Sequence, residues 1–144
     1  MIRTTLRWVL AILYAIAGYL HLAKPAPFLS ITPGWVPAPE LVIAATGIAE
    51  LLGAIALLQP WSRTLRLVGG WGLALYAVCV FPANINHFAA DMARDDGGLG
   101  LAYHIPRMVL QPILVWLSLW VSGAVNWPLS GKEKGRAQHL PHSP

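Results

Sequence analysis

The sequence predicts an all-α fold, a bundle of four membrane-spanning helices with both termini on the cytoplasmic side. Three observations carry this. Of the 144 residues, 56% are hydrophobic and only 11% are charged, about half the charged fraction of an ordinary soluble domain. The apolar residues fall into four blocks of spanning length. The basic residues concentrate in alternate connecting segments, as membrane topology requires.

The first helix is expected over residues 7–23, behind Arg3 and Arg7. A cleavable leader needs a small-residue site after its apolar stretch. Here Lys24-Pro25-Ala26-Pro27 follows, so an uncleaved span is expected. The second helix covers 41–58 and stops at Gln59-Pro60. Its small residues Ala45, Ala49 and Gly53 recur every fourth position and are expected to form a close-packing face. The third covers 65–88, with Gly69, Gly70 and Gly72 thinning its start. Pro82 interrupts it, lacking an N–H and leaving a carbonyl near Val78 in need of a partner. The fourth covers 105–125 and ends before Asn126-Trp127-Pro128.

These helices make one membrane domain over residues 1–127. Residues 128–144 read as a short polar cytoplasmic tail, expected to be disordered, with His139 and His142 solvated.

Arg3, Arg7, Arg63, Arg66, Lys132, Lys134 and Arg136 share one side of a four-span topology, leaving Lys24, Arg94 and Arg107 for the other. That imbalance predicts the N-in, C-in orientation. The outer segment 24–39 is proline-rich and carries Phe28, Ile31, Trp35 and Val36. It is too apolar for a free loop and is expected to lie on the interface or fold over the bundle mouth. Segment 91–100 reads as a polar outer loop.

The net charge of +4 is not a nucleic-acid footprint, because no basic stripe or aromatic platform accompanies it. The lone Cys79 excludes an internal disulfide and a Cys-x-x-Cys motif, and reads as a small core residue. Leu13-Tyr14-Ala15-Ile16 echoes Leu75-Tyr76-Ala77-Val78 at similar depths of the first and third helices.

Glu50 lies in the middle of an almost wholly apolar span. An ionisable group there is costly and marks a site. Depth bookkeeping brings His21, Asn84, His87, His104, Arg107 and Gln111 to the same outer half. Tyr14, Gly18 and His21 share a helical face, as do Asn84 with His87 and His104 with Arg107 and Gln111. A polar pocket is expected there. Glu50 is the candidate proton carrier or counter-ion, paired with Arg107 or a histidine, and the other six are candidate ligand-binding residues. Each also has a structural role open to it: register-fixing glue for Glu50, snorkelling for Arg107, interface hydrogen bonds for the histidines. Histidine, amide and guanidinium donors beside an acid suit a quinone headgroup. No close His-x-x-x-His or Glu-x-x-His pair supports a metal, and no nucleophile constellation or phosphate loop is present.

Five segments carry a family resemblance: Gly18-Tyr19-Leu20-His21, Pro33-Gly34-Trp35-Val36-Pro37, Gly47-Ile48-Ala49-Glu50-Leu51-Leu52-Gly53, Val80-Phe81-Pro82-Ala83-Asn84, and Pro106-Arg107 with Gln111. In this order they resemble the DoxX-like family of small four-helix membrane proteins. The resemblance implies a bacterial inner-membrane location and no single activity. Some relatives are linked to thiosulfate:quinone oxidoreduction or to thiol and oxidative-stress systems, others to assembly of membrane proteins. His21, Glu50, Asn84, Arg107 and Gln111 match its recurrent polar positions. The cysteine pairs of thiol-linked relatives are missing.

Three functions follow as expectations. The first is an accessory redox subunit that binds a quinone or similar lipophilic ligand and works with a partner redox or membrane protein. The second is a non-enzymatic assembly factor or anchor. The third is a small carrier, which four short helices could form only as a homo-oligomer. The bilayer is the one partner common to all three.

Overall fold

A computed structural model describes residues 1–127; the tail expected over 128–144 lies outside the described residues. Four long helices, α1 (Ile2–Ala23), α3 (Pro39–Leu58), α4 (Arg63–Met92) and α5 (Leu101–Ser122), are joined by short segments, one of which folds as a small helix, α2 (Ala26–Ile31). All four long helices are long and apolar enough to cross a membrane.

Their outward faces suit lipid. Ile16, Leu52, Ile55, Val68, Leu75 and Ile113 all stand exposed, which water would penalise and hydrocarbon does not. Trp61 and Trp127 are exposed at one end of the bundle and Trp35 at the other, the placement of interfacial aromatic anchors.

Helix α5 lies at 101–122 in place of 105–125 and α3 and α4 each start two residues early; three further differences have a local reason. Helix α1 begins five residues early because Arg3 has partners: Nη2 donates to Asn126 Oδ1 at 3.0 Å, and the guanidinium lies 4.8 Å over the Trp120 ring. These contacts put the start of α1 and the end of α5 at one end of the bundle. Helix α2 forms inside a segment expected to be non-helical. Its prolines sit at the entry, where a missing N–H costs nothing, and Thr32 Oγ1 closes its end by donating to Phe28 O at 2.8 Å. Helix α4 runs four residues past the expected end and draws Asp91 out of the loop into its last turn. The α3–α4 link is a tight knot in which Gln59 Nε2 donates to Ser62 O at 2.6 Å and Gln59 Oε1 accepts from Ser62 N at 2.8 Å.

Packing is closest where side chains vanish. A Cβ on Gly18 would lie 2.6 Å from Gly47 O, and one on Gly47 would lie 2.9 Å from Gly18 O. The backbones of α1 and α3 therefore touch. The expected Ala45–Ala49 stripe is wrong by this measure: both alanines are exposed, and the buried face is Ile43, Gly47, Glu50, Ala54 and Leu57. Gly53, the stripe's third member, does pack, against Leu73. Gly69 meets Ala56 and Gly70 meets Ser122, whereas Gly72 faces open space. Beyond these crossings a core of Leu10, Leu57, Leu73, Trp120 and Val121 fills the end of the bundle away from α2. α1 packs on α3, α3 on α4 and α4 on α5, while α1 and α5 touch sparsely and leave a seam.

Gly18→Val should cost about 1–3 kcal/mol, because the clash is with backbone that cannot rotate away. Gly72→Ala should leave the Tm unchanged or slightly raised, since nothing opposes its methyl. Thermal unfolding in detergent micelles, followed by helical circular dichroism, reads both. A Gly18→Val protein as stable as wild type would remove the α1–α3 contact from this description.

Candidate functional site

The glycine contact sets the site. His21 follows Gly18 by three residues and Glu50 follows Gly47 by three, so each side chain emerges on the face its glycine brings together. His21 Nδ1 lies 2.7 Å from Glu50 Oε2 and 3.0 Å from Ala17 O. Both neighbours accept, so Nδ1 carries the proton and the tautomer is fixed. Among the described residues Nε2 has no partner, and it keeps an accessible surface. Phe28 of α2 stacks on the imidazole at 3.8 Å between centroids, and Glu50 is 3% exposed.

A second polar group lies across the bundle. Asn84 Nδ2 donates to Gln111 Oε1 at 3.0 Å, and Gln111 Nε2 donates to Ala77 O. Gln111 thus reaches the carbonyl of Ala77, next to the Val78 carbonyl that Pro82 leaves without its helical donor.

Both groups open onto a cavity of about 530 Å³, within the usual range for a small-molecule site. Its wall is largely apolar and comes from all four long helices. Phe28, Ile31, Pro33, Trp35 and Val36 of the proline-rich segment close one side. Asn86 Nδ2 ties that segment to α4 by donating to Ile31 O at 3.1 Å. Of the two placements expected for segment 24–39, the structure has the fold over the bundle mouth. Cys79, expected in the core, is instead exposed and lines the cavity.

The sequence-predicted residues divide into two groups. His21, Glu50, Asn84, Arg107 and Gln111 all line the cavity. The pairing of Glu50 with Arg107 is not formed. Glu50 is taken by His21 through the glycine crossing, while Arg107 Nη1 donates to His87 Nδ1 at 2.9 Å and to Tyr103 Oη at 3.2 Å.

His87 and His104 turn away from the cavity and converge on Asp91. Asp91 Oδ2 lies 2.9 Å from His104 Nε2, 3.4 Å from His87 Nε2 and 2.9 Å from Leu99 N. The loop wraps so tightly that Gly98, at φ +56°, leaves no room for a Cβ beside the carboxylate.

With segment 91–100 as a loop the sequence offers no close ligand pair; the longer α4 makes His87-x-x-x-Asp91 one. The three candidate ligand atoms lie within 4.8 Å of one another. Arg107 carries only donors, so His87 Nδ1 must accept and its proton sits on Nε2, toward Asp91. The set is thereby satisfied by bridging protons. A metal on the same atoms would require His87 to shift its proton onto Nδ1, against a guanidinium.

Tyr76 was missed. Its phenol neighbours Glu50 and its ring meets Tyr14 edge-on at 6.1 Å. The repeated Leu-Tyr-Ala segment was the available signal, since its two tyrosines meet at this cavity.

Residues 10–122 match a protein family described as a domain of unknown function, DUF8561. The chain belongs to this family. The match takes in every cavity-lining polar residue and the Asp91 cluster, so both fall within the DUF8561 domain. Comparison with curated proteins and with solved structures gives no match.

Asp91 is the hub of the α4–α5 turn. Asp91→Ala should lower the Tm clearly more than Asp95→Ala, because only the former strands the Leu99 N–H and the His104 Nε2–H. Equal shifts for the two variants would show that the carboxylate does not hold the turn.

Proposed function

We propose that the chain is a DoxX-like accessory protein of bacterial inner-membrane redox metabolism, with both termini cytoplasmic, that binds a quinone or similar lipophilic carbonyl compound in the cavity. One observation carries the reading. A histidine with its Nδ1–H locked on a buried carboxylate presents a free Nε2 to an apolar cavity at membrane depth. That is an arrangement for exchanging a proton with a ligand oxygen. The roles differ from those expected. His21 Nε2 is the exchanging atom. Glu50 positions the ring, with Oε1 open to the cavity. The Asn84–Gln111 pair and Tyr76 supply further hydrogen-bonding groups for a carbonyl or hydroxyl headgroup.

In this reading electrons come from a partner redox protein; for each electron added to a bound quinone, Nε2 first takes up a proton from the open side of the cavity, giving an imidazolium held by Glu50, and then passes that proton to the quinone oxygen. The chain needs no redox group of its own for this role.

The expected result of extracting small molecules from mildly purified protein is a near-stoichiometric quinone, identified by mass spectrometry. Glu50→Gln should keep its fold, because glutamine can still accept from Nδ1–H, and should lose most of the quinone. A depleted variant with unchanged Tm supports the proposal. A wild type with no enriched ligand, together with a Glu50→Gln protein that unfolds, would count against it and for a purely structural carboxylate.

A further inference from the structure

Arg107 is a guanidinium set six residues inside α5, about 9 Å along the helix axis from its start. It is half-buried on the cavity wall, and no carboxylate lies within 4.0 Å of it among the described residues. Leaving an arginine unpaired at membrane depth is costly. Snorkelling to the interface would relieve it, but the side chain turns inward. Two contacts hold it there. Nη1 donates to His87 Nδ1 and to Tyr103 Oη, and the Tyr103 ring lies 5.6 Å from the guanidinium carbon.

Both contacts use the same nitrogen. Nε and Nη2 are left without partners among the described residues and with accessible surface. Those two groups form the fork that grips an oxyanion in a bidentate manner. His87 cannot neutralise the charge, because its Nδ1 is the acceptor. Asp91 lies on the far side of His87. The carboxylate on the cavity wall, Glu50, directs Oε2 at His21. The wall near Arg107 is therefore a positive site facing an apolar space.

That space has a way out for a chain. Leu13 of α1 and Leu110 of α5 both line the cavity and are 57% and 52% exposed. They flank the seam where α1 and α5 touch sparsely. A molecule with its headgroup inside can therefore leave its tail between these helices, toward lipid.

We infer that Arg107 is the headgroup site for an anionic single-chain amphiphile, a carboxylate or a phosphate ester, whose chain leaves the cavity through the α1–α5 seam. The inference rests on the reading that the cavity takes a lipophilic ligand, and not on that ligand being a quinone. The oxyanion accepts from Nε and Nη2, while Nη1 keeps its bonds to His87 and Tyr103. The Asp91 cluster thereby acquires a purpose in binding: by fixing His87 with Nδ1 toward Arg107, it aims the fork.

The test is equilibrium binding of radiolabelled palmitate, hexadecyl phosphate and methyl palmitate to the full chain in nanodiscs of zwitterionic phosphatidylcholine, with empty discs as background. Wild type should bind at least one anion about tenfold or more tighter than the ester, the worth of a charge-assisted pair. Which anion it prefers names the headgroup as carboxylate or phosphate. Arg107→Gln should abolish the preference and Arg107→Lys should keep part of it. Equal binding of acid, phosphate and ester by wild type overturns the inference, as does an undiminished preference in Arg107→Gln. Should Arg107→Gln fail to fold, wild type and Arg107→Lys decide, and an identical preference in both removes the bidentate fork. A wild type that binds the ester but shows no anion preference would sink this inference alone, whereas failure of every amphiphile to bind wild type would sink the cavity reading with it.

Discussion

The contact between Gly18 and Gly47 is the constraint on which the rest of the structure depends. Two helices in lipid gain little by burying apolar surface against each other, because lipid is apolar already. What they gain is close van der Waals packing, and that needs positions without side chains. Here the backbones meet at one crossing, and the next residues on the shared face are His21 and Glu50. The same contact that joins α1 to α3 thus pairs the most expensive group in the membrane domain with the nearest donor. Widening the crossing by one methyl would separate that pair and leave a buried carboxylate facing hydrocarbon.

Around that crossing the bundle is deliberately uneven. One end is a filled core of leucine, valine and tryptophan. The other is kept open as a cavity, with polar groups on opposing walls and a short helix folded over it. The two polar groupings behave differently. The Asp91 cluster gathers the Leu99 N–H and His104 Nε2 on one carboxylate oxygen, Oδ2, with His87 Nε2 3.4 Å away, and ties down the α4–α5 turn, while His104 Nδ1 is buried without a partner among the described residues. The His21–Glu50 pair is satisfied on one side only, leaving Nε2 and Oε1 facing the cavity. A network that ties down a turn stabilises the fold, and a half-open pair beside a cavity is available to a ligand. Arg107 links the two, anchored to the Asp91 cluster and lining the open site.

Much of this was legible in the sequence, and the parts that were not have identifiable causes. Four blocks of apolar residues are enough to predict four spanning helices, and depth bookkeeping alone brings His21, Glu50, Asn84, Arg107 and Gln111 to one level. Helical periodicity gives the face of each residue but not the rotation of one helix against another. The exposed Ala45 and Ala49, the buried Gly47 and the partner of Glu50 all turn on that rotation. Asp91 reads as loop because Asp, Arg and Gly follow one another there, and only His104 of the facing helix, with the Leu99 N–H, holds the aspartate at the end of α4. Tyr76 was hidden because a tyrosine in an apolar span raises no alarm until a cavity appears beside it.

The central claim is that His21 is held as the Nδ1–H tautomer by Glu50 and meets the ligand with Nε2. Nitrogen-15 NMR of histidine-labelled protein in nanodiscs, with His21 assigned by a His21→Asn variant, tests it most directly. Nδ1 is expected to be protonated before ligand, and the Nε2 resonance to shift when a short-chain quinone is added to wild type and not to shift in folded Glu50→Gln. An Nε2–H tautomer in the free protein, or a His21 spectrum that ignores the ligand while the ligand demonstrably binds, would contradict it.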